Sequence, residues 1–518
     1  MHAVVPVLGT AEDTFDAVNP LGTEYHLVMA ISHPLVTFSS DITKLCGTSW
    51  RMTSPTPIPI VDNQLVARRA LCGTKSAGGM SLVVWVCLLA VLALAQTPPP
   101  APGILLKGGT VHTVSGPVIE NGSVLVRNGK IVGVGKGLSA PEGYKVIDLH
   151  GQQVYPGMID AASMLGLEKM SSEEASDAEE MGLLNPQLHA ITAVNPDSEQ
   201  IPAARLNGIT SAIEMPLGEL ISGQMSVIHL DSSTNDAMTV VPTTAVHLTF
   251  PAIVLVPRAP RDEDDDDDPA AYTEPIPIPY AEAQKDYEQK MKVLNTFFDE
   301  ARQYRQAKRA NPAALRTDLK YEAIVPVLDG ITPMFVTAVR AREIREAIQF
   351  AKKQKIRIIL ADAYEAYKVL PLLKASNTPV VLGPTHTLPL NRDDPYDRSY
   401  TTPAELYKAG VKFCIGTFSA RSSRNLPYEA AAAVPYGLPV DEAYKAVSLN
   451  AAQIFGMGNR LGSIEEGKTA DLIVSDGNPL DVRTHVTLVL INGQLVSLET
   501  RQKQLYEKYL VGQRPLPQ

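Results

Sequence analysis

The groups that could do chemistry in this sequence are scattered. Seven histidines follow residue 95: His112, His150, His189, His229, His247, His386 and His485. No two of them have the i,i+2 or i,i+4 spacing that puts two imidazoles on one metal ion. His386 stands out because it lies in Gly383-Pro384-Thr385-His386-Thr387, just past the apolar run Pro379–Leu382. Side chains at the carboxyl ends of parallel strands collect where α/β enzymes place their reacting groups. Asp160, Glu214 and Asp362 also fall at or near the ends of predicted strands. Asp362 with His386 is therefore the predicted metal-free acid–base pair. A relocated metal site built from the same carboxylates would need several converging oxygens. Polar residues hydrogen-bonded at a rim would fill the same positions with no chemistry at all. Ser419, Ser422 and Ser423 offer hydroxyls, but no Gly-x-Ser-x-Gly nucleophile elbow accompanies them.

The elements that must position these groups are legible in outline. In 518 residues there are 46 Lys and Arg against 56 Asp and Glu, a formal charge of −10. Without basic blocks, such a chain lacks the clustered cations a nucleic-acid binder needs. Forty prolines and 35 glycines punctuate it too often for a coiled coil or a long helical array. The runs Ile209–Glu214, Met334–Val336, Ile356–Leu360, Pro379–Leu382 and Val411–Ile415 are predicted strands, with helices over Ala341–Gln354 and Tyr364–Ala375. Apolar strands alternating with helices predict a parallel sheet covered on both faces, and units of this length favour a (β/α)8 barrel. No Gly-rich phosphate fingerprint supports the alternative, an open doubly wound sheet.

Both ends of this region read differently. SVLVRNGKIVGV carries Asn128-Gly129 between apolar runs, and VTLVLINGQLV repeats the pattern around Asn492-Gly493. Each is a two-residue hairpin signal, so the two ends predict one small β-domain. The run RDEDDDDDPAAYTEPIPIP interrupts the βα rhythm. It lacks the spaced ligands and turn glycine of a calcium loop, so it reads as a solvated acidic insertion over 257–279. Residues 281–310 follow as a charged helix.

The first 95 residues stand apart. Residues 1–79 show no sustained period and read as a leader or an extended start. From Leu82 to Ala95 the chain is wholly apolar, too short to span a bilayer but suited to a signal-peptide core over 80–95, with Ala93-Leu94-Ala95 as a small-x-small cleavage site. An uncleaved N-terminal membrane anchor is the alternative. A Pro-rich linker fills 96–102. Cleavage leaves Cys414 as the sole cysteine, so no intrachain disulfide can form in the exported chain.

Four stretches carry a family resemblance. GILLKGGTVHTV, IENGSVLVRNGKIVGVG and VIDLHGQQVYPGMID lie within 103–160, and SLNAAQIFGMGNRLGSIEEGKTADLIVSDGNPLD covers 448–481. Together they resemble the amidohydrolase superfamily, in its imidazolonepropionase-like and prolidase-like branches. The resemblance implies a (β/α)8 barrel over 156–455 and a small β-sandwich from 103–155 and 456–500, with 501–518 as a tail. It also implies one or two divalent metals such as zinc, which lower the pKa of bound water and polarise a carbonyl. The first strand should end in Asp-x-His-x-His; here Ala162 and Met164 replace both histidines of Asp160-Ala161-Ala162-Ser163-Met164. Thr337 stands at the fifth-strand His, Asp362 near the sixth-strand His, and Phe418 at the aspartate of Gly-Thr-Asp-Ser. No strand-four lysine can be picked out around Val240–Leu248. Alanine and phenylalanine carry no donor atom, and a thioether is a poor ligand for a hard or borderline ion.

With those positions altered, no metal cofactor is expected. Gly223 and Gln224 resemble a Gly-Gly-Gln stretch of the branch that binds ligand, a tight turn being the alternative, and Arg424 and Asn425 lie in family-like sequence after the eighth strand. Two functions are expected. One is an exported hydrolase of C–N bonds in cyclic amides, imides or small peptides. The other is a non-catalytic protein, periplasmic or extracellular, that binds a small or peptide-like ligand or assembles with itself or an active paralogue.

Overall fold

The computed structural model describes residues 103–168, 181–231, 233–256, 276–313 and 315–511. All of them lie in the unit Thr97–Gln518. The leader, the signal-peptide core, the linker, the acidic run Asp262 to Asp268 and the last seven residues fall outside the described residues.

Both ends of the unit build one eight-stranded sheet. β1 (Ile104–Val111) pairs antiparallel with β2 (Ile119–Arg127) and parallel with β4 (Lys145–Asp148) and β5 (Gln153–Pro156), while β3 (Lys130–Lys136) extends β2. β14 (Leu472–Ser475) joins antiparallel to β5, followed by β15 (Val486–Ile491) and β16 (Gln494–Leu495). The two Asn–Gly turns adopt positive φ at both residues, 50° and 74° at Asn128-Gly129 and 49° and 73° at Asn492-Gly493. That is the twist a two-residue hairpin requires. The turns also abut. A Cβ on Gly129 would lie 2.6 Å from Asn492 Oδ1, and one on Gly493 would lie 2.8 Å from the Gly129 Cα. Ile131 N–H donates to Lys468 O at 2.9 Å and Ala470 N–H to Gly129 O at 2.9 Å, curling the sheet around Leu106, Val124, Val126, Ile131, Leu472 and Leu490.

The middle of the chain forms a second eight-stranded sheet, ordered as the strands occur: β6 (Met158–Ser163), β7 (Ile209–Glu214), β8 (Ile221–His229), β9 (Thr239–Thr249), β10 (Met334–Thr337), β11 (Ile358–Asp362), β12 (Val380–Leu382) and β13 (Phe413–Ile415). Seven strands run one way. β8 runs against its neighbours β7 and β9, which departs from the expected all-parallel arrangement. The reason is local: the short connections around β8 hold no long crossover helix, and a parallel crossover needs one. The predicted strand Ile209–Glu214 and helix Ala341–Gln354 are found with those bounds, whereas Tyr364–Ala375 divides into a 3-10 turn (Tyr364–Val369) and a helix (Leu370–Ser376). The long helix Tyr280–Ala310 buries Leu294, Phe297, Phe298 and Ala301, one face at helical spacing. The expected tail is helical over Arg501–Val511.

The sheet closes almost completely. Phe418 N–H donates to Ala162 O at 2.8 Å, bringing the segment after β13 onto β6. Gly416 permits that approach, since a Cβ there would lie 2.8 Å from Ala162 N. The barrel interior is apolar from below: Phe455 and Ala451 of the helix Leu449–Ile454 and its end pack under Ile159, Val227, Phe335, Ile359 and Cys414. Met164 packs in the outer cluster, toward the helices. Among the described residues no helix is long and apolar enough to cross a membrane.

Candidate functional site

The barrel mouth lies at the carboxyl ends of β10 to β13. A cavity of about 480 Å³ opens there beside Asp362, Thr385, Thr402, Thr417, Phe418 and Ser419. Its walls are rich in hydroxyls, and its floor is a phenyl ring. Phe418 stacks on Phe335 with ring centroids 6.4 Å apart, and Phe335 rests on Phe455 at 5.8 Å. The apolar filling of the barrel therefore continues to the position where the resemblance expects a metal-binding aspartate. Asp362, Ala363 and Phe418 take φ of 64°, 29° and 52°. Left-handed backbone at non-glycine residues costs of order 1–3 kcal/mol each and clusters at ligand sites.

Asp160 keeps the acidic residue of the first-strand motif but serves the fold. It is fully buried. Its carboxylate accepts hydrogen bonds from Thr417 N (3.0 Å), Thr417 Oγ1 (2.6 Å), Ser423 Oγ (2.8 Å) and Ala162 N (3.4 Å). Burial pushes its pKa up to about 6, against the lowering effect of those donors. Asp160 thus ties the segment after β13 to β6 and closes the barrel. Glu214, at the end of β7, is fully buried, and neither oxygen makes a well-formed hydrogen bond. Burial, then the charges of Asp160 and Glu168, raise its pKa well above the ordinary carboxylate range, despite Ser163 and Leu165 N–H nearby.

His247 is a polar residue of the barrel interior that sequence reasoning did not single out. It lies on β9, in register with Phe335 of β10, and is buried. Nδ1 is 2.7 Å from Pro216 O, a carbonyl that can only accept, so Nδ1 carries the proton. Nε2 then accepts from Thr337 Oγ1 at 2.9 Å. Burial pushes its pKa down to about 4, so the ring is neutral near pH 7. Thr337, at the expected fifth-strand ligand position, thereby occupies the lone pair through which His247 would bind a metal. The signal available in the sequence was its alternation with Ala245 on an apolar strand, which turns both residues inward.

The predicted pair Asp362 and His386 is divided between two cavities. Asp362 lines the mouth. His386 turns to Glu429, with Nδ1 3.2 Å from Glu429 Oε2, and lines a separate cavity of about 780 Å³ together with Asn425. The Thr385–His386 backbone donates to the same carboxylate, which draws the ring outward. Gly223 and Gln224 lie within β8 and form no tight turn. Gly223 has φ 146° and pairs with His247, and a Cβ there would lie 3.0 Å from Leu188 O. The Gln224 amide is spent within the protein: Nε2 donates to Pro186 O at 3.0 Å and Oε1 accepts from Thr243 Oγ1 at 2.6 Å. Arg424 is exposed beside Glu199, Gln200 and Gln502, at a small cavity apart from the mouth.

The chemistry of the donors decides the fit to a divalent metal. Ala162 and Phe418 bring none, Met164 faces outward, and Thr337 is bonded to His247. Among the described residues no three His, Cys, Asp or Glu side chains converge where they could hold an ion. The described mouth residues do not form the ligand set the resemblance implies.

The family model for the amidohydrolase family matches residues 397–496. The amidohydrolase tasK of Hapsidospora irregularis is 23% identical over 393 residues, 72% of this chain and 39% of that protein. A dihydroorotase of Geobacter sulfurreducens is 47% identical over 57 residues, 11% of this chain and 13% of the enzyme. The chain therefore spans less than half the length of these curated relatives. The crystal structure of an amidohydrolase from Thermotoga maritima MSB8 superposes with a TM-score of 0.65 at 28% identity, over 76% of this chain and 99% of that one. The curled terminal sheet, the nearly closed barrel and these similarities agree: the chain resembles the amidohydrolase superfamily in both fold and sequence.

Proposed function

We propose that this protein is a non-catalytic member of the superfamily whose barrel mouth binds a small polar molecule without metal-activated water. The observation that carries this reading is the Phe418 ring, stacked on Phe335 at the position expected for the metal-binding aspartate. A phenyl group can neither coordinate an ion nor take a proton from water. The hydroxyls of Ser419 and Ser422 at the mouth suit a hydrogen-bonding ligand, while those of Thr385, Thr402 and Thr417 are bonded within the protein. Export, drawn from the apolar run Leu82–Ala95, and assembly with itself or with an active paralogue are further parts of the proposal.

The test is elemental mass spectrometry on the full chain purified without chelator or His-tag, with a hydrolysis panel of cyclic amides, imides and dipeptides. The expected result is no stoichiometric zinc, manganese or iron and no turnover. One or two metal equivalents with turnover would overturn the reading. They would favour the second one, a C–N bond hydrolase, which draws support from the family and from the carboxylates Glu214 and Asp362 at strand ends and Asp160 within β6.

A further inference from the structure

The cavity holding His386 lies outside the barrel mouth, between the helix Leu426–Ala432 and the loop 478–482 that follows β14. Its volume is in the range of small-molecule sites. The walls are largely apolar: Ala432, Val434, Pro435, Val440, Leu480 and Val482. One polar device is built into it. Glu429 is buried, and its Oε2 accepts from Thr385 N (2.6 Å), Thr385 Oγ1 (2.9 Å) and His386 N (2.9 Å), with His386 Nδ1 at 3.2 Å. An ionised carboxylate only accepts, so Nδ1 of His386 carries a proton. Nε2, across the ring, makes no hydrogen bond to any described residue. The imidazole is about half exposed, at 48%. The ring is thus held by a buried anion with its second nitrogen free at an apolar cavity.

We propose that this cavity binds a weak organic acid with an apolar body, its carboxylate seated on Nε2 of His386. The acid's apolar part covers the walls. Its head group pairs with an imidazolium that Glu429 stabilises from the opposite side, a charge-assisted contact in a partly desolvated place. The other groups facing this position do not supply a competing cation. Tyr400 meets the ring edge-on at 6.0 Å, Tyr428 is neutral near pH 7, and Asp481 is paired with Arg483 at 2.6 Å. A carboxylate on Nε2 needs a proton there as well as on Nδ1, so binding of the acid is linked to proton uptake.

The experiment is calorimetric titration of the full chain with sodium octanoate, in buffers of different ionisation enthalpy, with 1-octanol as the uncharged counterpart. The expected result is one saturable octanoate site with uptake of close to one proton at pH 8. His386→Gln should weaken octanoate by about tenfold or more and leave 1-octanol within about twofold. Ala432→Trp, which fills the cavity at a partly exposed position, should abolish both. His386→Gln alters a half-exposed side chain, and circular dichroism establishes that it folds; if it does not, Ala432→Trp alone decides the location. No saturable octanoate binding, or binding unchanged by either variant, would overturn the proposal. The site is separate from the mouth, so metal or turnover found there would leave this test untouched.

Discussion

Two buried carboxylates organise the carboxyl end of this barrel, and they do different work. Asp160 gathers Thr417, Ser423 and Ala162, all buried, and the two hydroxyls are spent on its carboxylate. Glu429 gathers Thr385 and His386 just as tightly, but one member of its network, the His386 ring, keeps a free nitrogen at a cavity. The first is a clasp between β6 and the segment after β13. The second is a mount. Saturation of a buried carboxylate alone therefore does not separate a structural role from a binding role. What separates them is whether a donor or acceptor in the network is left over where a ligand can reach it.

Asp160→Ala should break the clasp and give the largest effect. It strands the Thr417 N–H and two hydroxyls in a buried place, a loss of about 4 kcal/mol in urea unfolding, where hydrogen bonds to a charged acceptor are worth roughly 1.5–3 kcal/mol each and do not add fully. A loss under about 1 kcal/mol would show that Asp160 does not hold the barrel closed.

The next effect is a pH dependence. His247 stays neutral in the fold with a pKa of about 4, against 6.5 for the free side chain. Between those values the unfolded chain binds a proton that the folded chain refuses. Its contribution is complete above pH 6.5 and falls on acidification, at up to roughly 1.4 kcal/mol per pH unit toward pH 4. Asp160, raised to about 6, acts in the opposite sense: the folded chain binds the extra proton, so stability from this group is present below about pH 4 and lost as pH rises to 6. Urea unfolding from pH 4 to 7 should therefore show a smaller acid loss in His247→Gln than in the parent. Identical slopes would mean that the ring is not held neutral.

Phe418→Ala should cost about 2 kcal/mol, below the range for a fully buried phenylalanine because the ring is only partly buried. It should also widen the mouth cavity without creating a metal site, since a methyl group adds no donor. Metal uptake by this variant would mean that the ring alone had blocked an otherwise complete ligand set. The smallest effect is expected at the mount. His386→Gln should change stability by no more than about 0.5 kcal/mol, because Glu429 keeps three donors and the lost side chain is half exposed. A loss of 2 kcal/mol or more would make His386 a structural residue and erase the contrast with Asp160.

Much of the fold was legible. The Asn–Gly turns at 128–129 and 492–493 are the predicted hairpins because only a few residues accept their two positive φ values, and local sequence reports that directly. Apolar strands and the amphipathic helix Ala341–Gln354 were readable for the same reason: periodicity is a local property. The reversed direction of β8 was not, because an apolar run has no sign of direction, and only its neighbours' pairing and the short connections decide it.

The site divides along the same line. Sequence alone determined which atoms are present: no imidazole at 162 or 164, no carboxylate at 418, one cysteine after the leader. It could not determine where the remaining groups point. Asp362 and His386 follow adjacent strands, yet Glu429, more than forty residues after His386, draws its ring into another cavity. His247 and Thr337 are ninety residues apart and meet only because β9 and β10 pair in register. Residue identity sets what chemistry is available. Long-range pairing and the hydrogen bonds that buried groups must satisfy decide which of those residues share a site.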